Sequence, residues 1–139
     1  MKRLLTVFLA LGLLLAAVPA MASDYQYISA KEVKQKMDAN EKMHILDIQV
    51  EDEYKEHHLP GAMGCMAYPV KSDEEKAKVQ AYVDKLQQDE APVVVVCPRG
   101  KGGAERTYDY LKTHGVDEQR LFILTGGQGG WPYPVEKGE

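Results

Sequence analysis

The sequence predicts a small α/β domain in which helices flank both faces of a parallel sheet. Residues 93–96 are four consecutive valines, a run typical of a central parallel strand that is covered on both faces. Apolar, β-prone segments alternate along the chain with segments of helical periodicity, which is the order of βαβ units. After a leader of 22 residues, 117 remain, enough for one domain with a single core. We therefore expect one domain over residues 23–139.

Local signals set the element boundaries in the first half of that domain. Ser29 with Glu32 three residues later is a capping-box pattern, which marks the start of a helix. The sequence Leu-Pro-Gly-Ala at residues 59–62 is a turn signal between a short acidic helix and a weakly marked strand. From these signals we predict strands at residues 25–28, 44–48 and 63–68, and helices at residues 30–37 and 51–56.

The second half has stronger signals. Ser72 and Glu75 form a second capping-box pattern, followed by apolar residues at helical spacing up to about residue 88. Gly115 is a typical C-terminal stop for another helix. We predict helices at residues 72–88 and 104–114, strands at residues 92–97 and 121–124, and a glycine-rich turn after the last strand.

The first 22 residues have the pattern of a secretory signal peptide. Lys2 and Arg3 precede an apolar run over residues 4–18, and Ala-Met-Ala at residues 20–22 fits a small-x-small cleavage site. This pattern predicts a periplasmic or secreted protein with cleavage after Ala22. No later apolar run approaches the roughly 20 residues that span a bilayer, so we expect the mature form not to span a membrane unless the leader is retained as an anchor.

The composition excludes several classes of function. Without Lys2 and Arg3 the formal net charge changes from −4 to −6, and only three arginines remain. This balance argues against a nucleic-acid partner. Two cysteines, Cys65 and Cys97, are too few for a disulfide-dense secreted scaffold.

Cys97 is the candidate nucleophile because it ends the strongest predicted strand, where ligands bind in open parallel sheets. Glycines in the following loop let backbone N–H groups converge, and the next helix adds the positive end of its dipole. Such donors lower the pKa of a thiol below its usual value of about 8.5, and the thiolate is the nucleophile. The alternative is a small apolar residue that merely ends a strand. We predict a catalytic Cys97 and an anion-binding loop made of Arg99, Gly100, Lys101, Gly102 and Gly103.

Three segments resemble the rhodanese (sulfurtransferase) family in its single-domain form, and together they cover essentially the whole mature chain. They are Leu46-Asp47-Ile48 with Glu53-Tyr54 and His58-Leu59-Pro60-Gly61-Ala62, then residues 93–100, then Leu124-Thr125-Gly126-Gly127 with Gly130-Trp131-Pro132. The resemblance implies a rhodanese-like parallel sheet and a Cys97 persulfide. It implies a small anionic sulfur donor such as thiosulfate. The acceptor would be cyanide or a thiol, and the thiol would belong to a small molecule or to a protein. No cofactor is expected.

The loop also departs from the family pattern. Gln49 stands where the family usually has arginine, and His57 stands where it usually has glycine. The family often has arginine or serine, then serine, at the positions of Gly102 and Gly103, so we expect no guanidinium or hydroxyl there. The spacing allows a loop of six residues or of seven. Phosphatases of this fold need arginine at the position of Gly103, so we do not expect a phosphatase.

Three further residues have structural interpretations. The resemblance suggests that Asp47 is a hydrogen-bond anchor, although a catalytic carboxylate is the alternative. His58 is expected to pack a turn, and Trp131 to fill the core. His57 and His58 are adjacent and would face apart on a regular element, so we expect no metal site.

Cys65 has three open interpretations: a structural residue, a disulfide partner of Cys97, or a resolving thiol that attacks the persulfide. The functional hypotheses divide accordingly. The first is a sulfurtransferase that uses Cys97. The alternatives are a non-catalytic module that binds an anion or a protein, and a thiol redox protein that uses Cys65 and Cys97 as a pair.

Overall fold

The structure is a computed structural model that describes residues 25–139, so the predicted signal peptide at residues 1–22 lies outside the described residues. Within the described part, five parallel strands form one sheet in the order β1-β5-β4-β2-β3. The strands are β1 (Tyr27–Ile28), β2 (His44–Asp47), β3 (Met63–Gly64), β4 (Val93–Val96) and β5 (Leu121–Leu124). The helices are α1 (Ala30–Asp38), α2 (Glu51–Glu56), α3 (Asp73–Leu86) and α4 (Gly102–Thr113). The predicted parallel sheet is confirmed.

The valine run of β4 fills the core on both faces of the sheet. Successive side chains of a strand point to opposite faces. Val93 and Val95 accordingly pack in a cluster with buried residues of α3 and α4, whereas Val94 and Val96 pack with Val33 of α1 on the other side. All four valines are fully buried. Helices therefore cover both faces, as the sequence predicts.

Capping interactions explain where two helices begin. The Ser72 hydroxyl accepts a hydrogen bond from the Glu75 N–H at 3.1 Å, and the Glu75 carboxylate accepts one from the Ser72 N–H at 3.0 Å, so the predicted capping box of α3 is complete. At α1 the Ser29 hydroxyl accepts from the Glu32 N–H at 3.1 Å. These bonds satisfy donors that the first turn of a helix leaves free.

Several predicted boundaries shift by one residue or more, and two of these shifts have a clear physical reason. Strand β3 ends at Gly64 rather than near residue 68, because Met66 has a φ of 55° and leaves the extended conformation. Helix α4 begins at Gly102 rather than at residue 104. Glycine at a helix start resembles a loop signal, but a Cβ on Gly103 would lie 2.9 Å from the ring of Tyr68. The close approach of Tyr68, and not a turn, requires this glycine.

The strand register brings several chain ends together at one edge of the sheet. Asp47 is paired with both Gly64 and Val96, so β2, β3 and β4 end at the same level. Cys65 and Cys97 are the residues that follow β3 and β4. Among residues 25–139, no helix has the length and apolar composition needed to cross a membrane.

Candidate active site

The Cys97 sulfur lies within a backbone loop that supplies a hydrogen-bond donor. The Gly100 N–H donates to Cys97 Sγ at 3.1 Å. Gly100 has a φ of 71°, and a Cβ at this position would lie 2.6 Å from the Leu124 carbonyl oxygen, so no larger residue fits. An N–H directed at sulfur stabilises the thiolate more than the neutral thiol. The glycine predicted from the loop pattern therefore acts directly on the candidate nucleophile.

The glycine-rich turn after β5 holds this loop in place. The Gln128 N–H donates to the Cys97 carbonyl at 2.8 Å, and the Gly129 N–H donates to the Pro98 carbonyl at 3.0 Å. A Cβ on Gly127 would lie 2.1 Å from the Cys97 carbonyl oxygen. The turn thus approaches the loop backbone to backbone, which only glycine permits. We call residues 126–129 the bracing turn.

The loop is short. Gly102 and Gly103, which a seven-residue loop would include, are the first two residues of α4. The residues between β4 and α4 are therefore Cys97 to Lys101. The N-terminus of a twelve-residue helix follows the loop directly, and its positive end favours a bound anion there.

A cleft of about 400 Å³ opens beside Cys97. Arg99 and Lys101 are exposed at its walls, and within residues 25–139 neither side chain has a carboxylate within 4 Å. Glu53 adds one acidic group to the same lining. The full lining consists of Glu53, Tyr68, Cys97, Pro98, Arg99, Lys101, Gly102 and Gly103. The excess of positive charge suits a small anion.

Asp47 is an anchor outside this cleft. The carboxylate is fully buried and accepts from the Gln49 backbone N–H and from Gln49 Nε2, each at 2.9 Å. Burial raises the pKa of Asp47 to about 6, although the Gln49 hydrogen bonds partly offset that effect. The Gln49 amide also lies 3.3 Å from the His57 carbonyl and 3.5 Å from Gln128 Oε1. Gln49 therefore joins Asp47 to α2 and to the bracing turn.

His58 and Trp131 have packing contacts. The His58 ring stacks on Tyr54 with centroids 4.0 Å apart, and Nδ1–H donates to the Tyr54 carbonyl at 2.8 Å. Trp131 is mostly buried against the α1 side of the sheet and donates from its indole N–H to the Pro134 carbonyl at 3.2 Å. Neither side chain lines the Cys97 cleft.

Cys65 occupies a different environment. Both cysteines are free and buried, so the structure contains no Cys65–Cys97 disulfide. Burial raises the pKa of Cys65 to about 12, although a hydrogen bond from the Ala67 backbone and the charge of Lys78 partly oppose this effect. Cys65 does not line the Cys97 cleft. This placement matches the structural interpretation among the three that the sequence left open.

The structure adds residues that the sequence did not single out. Tyr68 lines the cleft, as does Glu53 of the resemblance segments, and the Gln128 side-chain nitrogen is buried with no hydrogen-bond partner among residues 25–139. A Cβ on Gly102 would lie 2.9 Å from Arg106 Nη1. Gly102 and Gly103 carry no guanidinium themselves, but the Arg106 guanidinium lies beside Gly102. The four-residue spacing of Gly102 and Arg106 on one helix could have indicated it.

A central parallel strand that leads into a cysteine, a glycine loop and a helix N-terminus defines a class of α/β domain. The model of the rhodanese-like domain family matches residues 29–132 of the chain. The chain belongs to that family.

Solved structures have the same fold at low identity. A thiosulfate sulfurtransferase from Pseudomonas aeruginosa is 24% identical with a TM-score of 0.64, and the match covers 83% of this chain but 21% of that protein. A yeast protein tyrosine phosphatase of the rhodanese family is 17% identical with a TM-score of 0.63, over 79% of this chain and 85% of its own. A rhodanese-like domain protein from Staphylococcus aureus is 20% identical with a TM-score of 0.58, over 82% and 99%. No curated protein matches the sequence significantly.

Proposed function

We propose that the protein is a sulfurtransferase that carries a sulfane sulfur as a persulfide on Cys97. The observation that supports this most strongly is the placement of Cys97 Sγ, which lines a cationic cleft and accepts an N–H at 3.1 Å. Although Cys97 is only 2% exposed, it lines this cleft, through which a substrate would approach the sulfur. The similarity to a thiosulfate sulfurtransferase supports the same reaction class.

The reaction needs no cofactor. The Cys97 thiolate attacks the outer sulfur of thiosulfate, the S–S bond breaks, and sulfite leaves with the bonding electron pair. Cys97 then carries a persulfide whose negative charge lies at the helix N-terminus and the loop N–H groups. Cyanide or a thiolate attacks the outer sulfur next, and the Cys97 thiolate is released. Arg99 and Lys101 attract the anionic donor into the cleft.

The proposed partners are a small anionic sulfur donor and a thiol acceptor, which is a small molecule or a protein. The leader pattern of residues 1–22 supports a periplasmic or secreted location. In such a compartment free thiols tend to be oxidised, so a cysteine that works there must be kept reduced by a partner or loaded quickly with sulfur.

Intact mass spectrometry tests this proposal. Incubation with thiosulfate is expected to add about 32 Da, the mass of one sulfur atom, and later addition of cyanide is expected to remove it. The Cys97→Ser variant is the control and should gain nothing, whereas Cys65→Ser should gain the same mass as the wild type. A wild-type protein that gains no sulfur from thiosulfate or from a persulfide would contradict the proposal.

A further inference from the structure

Arg106 places a guanidinium, which has no carboxylate partner among residues 25–139, at the edge of the Cys97 loop. The Arg106 Nε–H donates to the Pro69 carbonyl at 2.8 Å, which fixes the plane of the group. A Cβ on Gly102 would lie 2.9 Å from Arg106 Nη1 and 3.3 Å from Arg106 Nη2, the two atoms closest to it. Within residues 25–139, neither Nη atom has a hydrogen-bond or ion-pair partner. The guanidinium therefore occupies the space that a side chain on Gly102 would need, and its two outer nitrogens remain available.

The same guanidinium lines a second cleft of about 300 Å³ on the α3 side of the loop. Lys71 and Lys76 also line it, and within the described residues neither has a carboxylate within 4 Å. Val70 and Tyr110 complete the lining. The Glu75 carboxylate, near in sequence, accepts hydrogen bonds from the backbone of Lys71 and Ser72. The second cleft therefore has three cations and no acidic group in its lining.

The two clefts are adjacent. Tyr68 lines the Cys97 cleft and Val70, two residues later, lines the second cleft. Gly102, in the first lining, is the residue against which the Arg106 guanidinium packs. A ligand that contacts both clefts must have two separated functional groups, whereas thiosulfate is small enough to be held by the first alone.

We infer that the second cleft binds the carboxylate of an organic sulfur donor, a persulfide R–S–SH whose carbon chain bears a carboxylate. A guanidinium whose outer nitrogens are free matches the two oxygens of a carboxylate, and lysines beside it add charge. The inference rests on the proposed function for its chemistry. The Cys97 thiolate attacks the outer sulfur, the S–S bond breaks, RS⁻ leaves with the electron pair, and Cys97 keeps the S–SH group.

Binding without catalysis tests the cleft separately from the reaction. The Cys97→Ala variant is titrated with S-methylglutathione, which has carboxylates but no transferable sulfur, and with its diethyl ester, and the dissociation constants are measured by NMR. The acid is expected to bind at least about tenfold more tightly than the ester, a difference of about 1.4 kcal/mol. Adding Arg106→Gln or Lys76→Gln should remove that difference. Equal affinities for acid and ester would overturn the inference, whether or not Cys97 transfers sulfur.

Kinetics then separate a positioning role from a structural one. With glutathione persulfide as the donor, Arg106→Gln is expected to raise KM about tenfold with little change in kcat. The fold increase in KM for thiosulfate should be at least about fivefold smaller. Lys31→Gln, an equal charge change at an exposed lysine of α1, is the control and should affect both donors alike. An equal rise for both donors with Arg106→Gln would overturn the inference. If no donor loads Cys97 with sulfur, the proposed function fails. The NMR titration still shows whether the second cleft binds a carboxylate.

Discussion

Cys65 and Cys97 follow β3 and β4, the two strands that flank β2 in the sheet, and are nearly equally buried, at 5% and 2% exposed. Their surroundings nevertheless differ in kind. Cys97 accepts the Gly100 N–H and lines an open cationic cleft. Cys65 is enclosed by apolar side chains, and burial raises its pKa to about 12. Exposed fraction therefore does not distinguish the two thiols, whereas donor groups and access to a cleft do.

The two cysteine segments are also held by different means. The bracing turn donates N–H groups to the carbonyls of Cys97 and Pro98. The Cys65 N–H donates instead to the Asp47 carbonyl at 2.8 Å, which ties this segment to β2. Disturbing the bracing turn should therefore affect the segment of Cys97 directly and that of Cys65 only indirectly.

Alkylation is expected to show the largest contrast. At pH 8 a thiol of pKa about 12 is ionised in roughly one molecule in ten thousand, and the thiolate is the form that reacts. We expect iodoacetamide to modify Cys97 at least about 100-fold faster than Cys65 in the native protein. Peptide mass spectrometry over time measures both rates. In guanidinium chloride the two rates should become equal, and equal rates in the native state would contradict the contrast.

Gly127→Ala should damage the Cys97 loop selectively. The new Cβ would lie 2.1 Å from the Cys97 carbonyl oxygen, so the loop or the bracing turn must move. Sulfur transfer is expected to fall about 100-fold, since small displacements of reacting groups have effects of that size. Gly126→Ala is the matched control, because its φ of 77° is also strained but its Cβ would come no closer than 3.4 Å to other atoms. Equal activity losses in the two variants would contradict this role of the turn.

Asp47 gives a pH-dependent effect on stability. The pKa is about 6 in the folded protein and about 3.8 in the unfolded chain, so the folded state holds the proton more tightly. The stability contribution is therefore full below pH 4 and is lost as pH rises through 6, by about 3 kcal/mol. Urea unfolding at pH 4 and pH 7 measures the loss. Asp47→Asn should remove this part of the pH dependence, and an unchanged profile in that variant would contradict the assignment.

Gln128→Met should have the smallest effect. Gln128 is 3% exposed and its side-chain nitrogen has no partner among residues 25–139, so an apolar side chain of similar length removes an unsatisfied donor. The free energy of unfolding should change by less than about 1 kcal/mol or increase. Gln49→Met should instead lower it by about 2 kcal/mol, because the buried Asp47 carboxylate loses a donor. Thermal unfolding measures the stability of both variants. A larger loss of stability in Gln128→Met than in Gln49→Met would contradict these roles.

Much of the fold was predictable because its signals are local. The valine run of β4 and the capping box of α3 each act within a few residues. The start of α4 was not predictable, because Gly103 is required by Tyr68, 35 residues earlier in the chain. That error also concealed Arg106, since its position beside Gly102 depends on both residues belonging to the same helix.

The site was predictable in the same uneven way. Cys97 and its glycine loop followed from the end of a buried strand. The bracing turn, the Asp47–Gln49 contacts and the environment of Cys65 depend on how β2, β3 and β5 are placed around β4. Sequence spacing does not report these distances, which is why the sequence left the Cys65 alternatives open.

The central claim is that Cys97 transfers sulfur and Cys65 does not. Thiocyanate formation from thiosulfate and cyanide, compared between Cys97→Ser and Cys65→Ser, tests it most directly. Cys97→Ser is expected to lower turnover at least about 1,000-fold, because a serine hydroxyl cannot form the persulfide. Cys65→Ser, once shown to be folded, should retain turnover within about threefold. Turnover that survives Cys97→Ser, or that disappears in a folded Cys65→Ser protein, would contradict the claim.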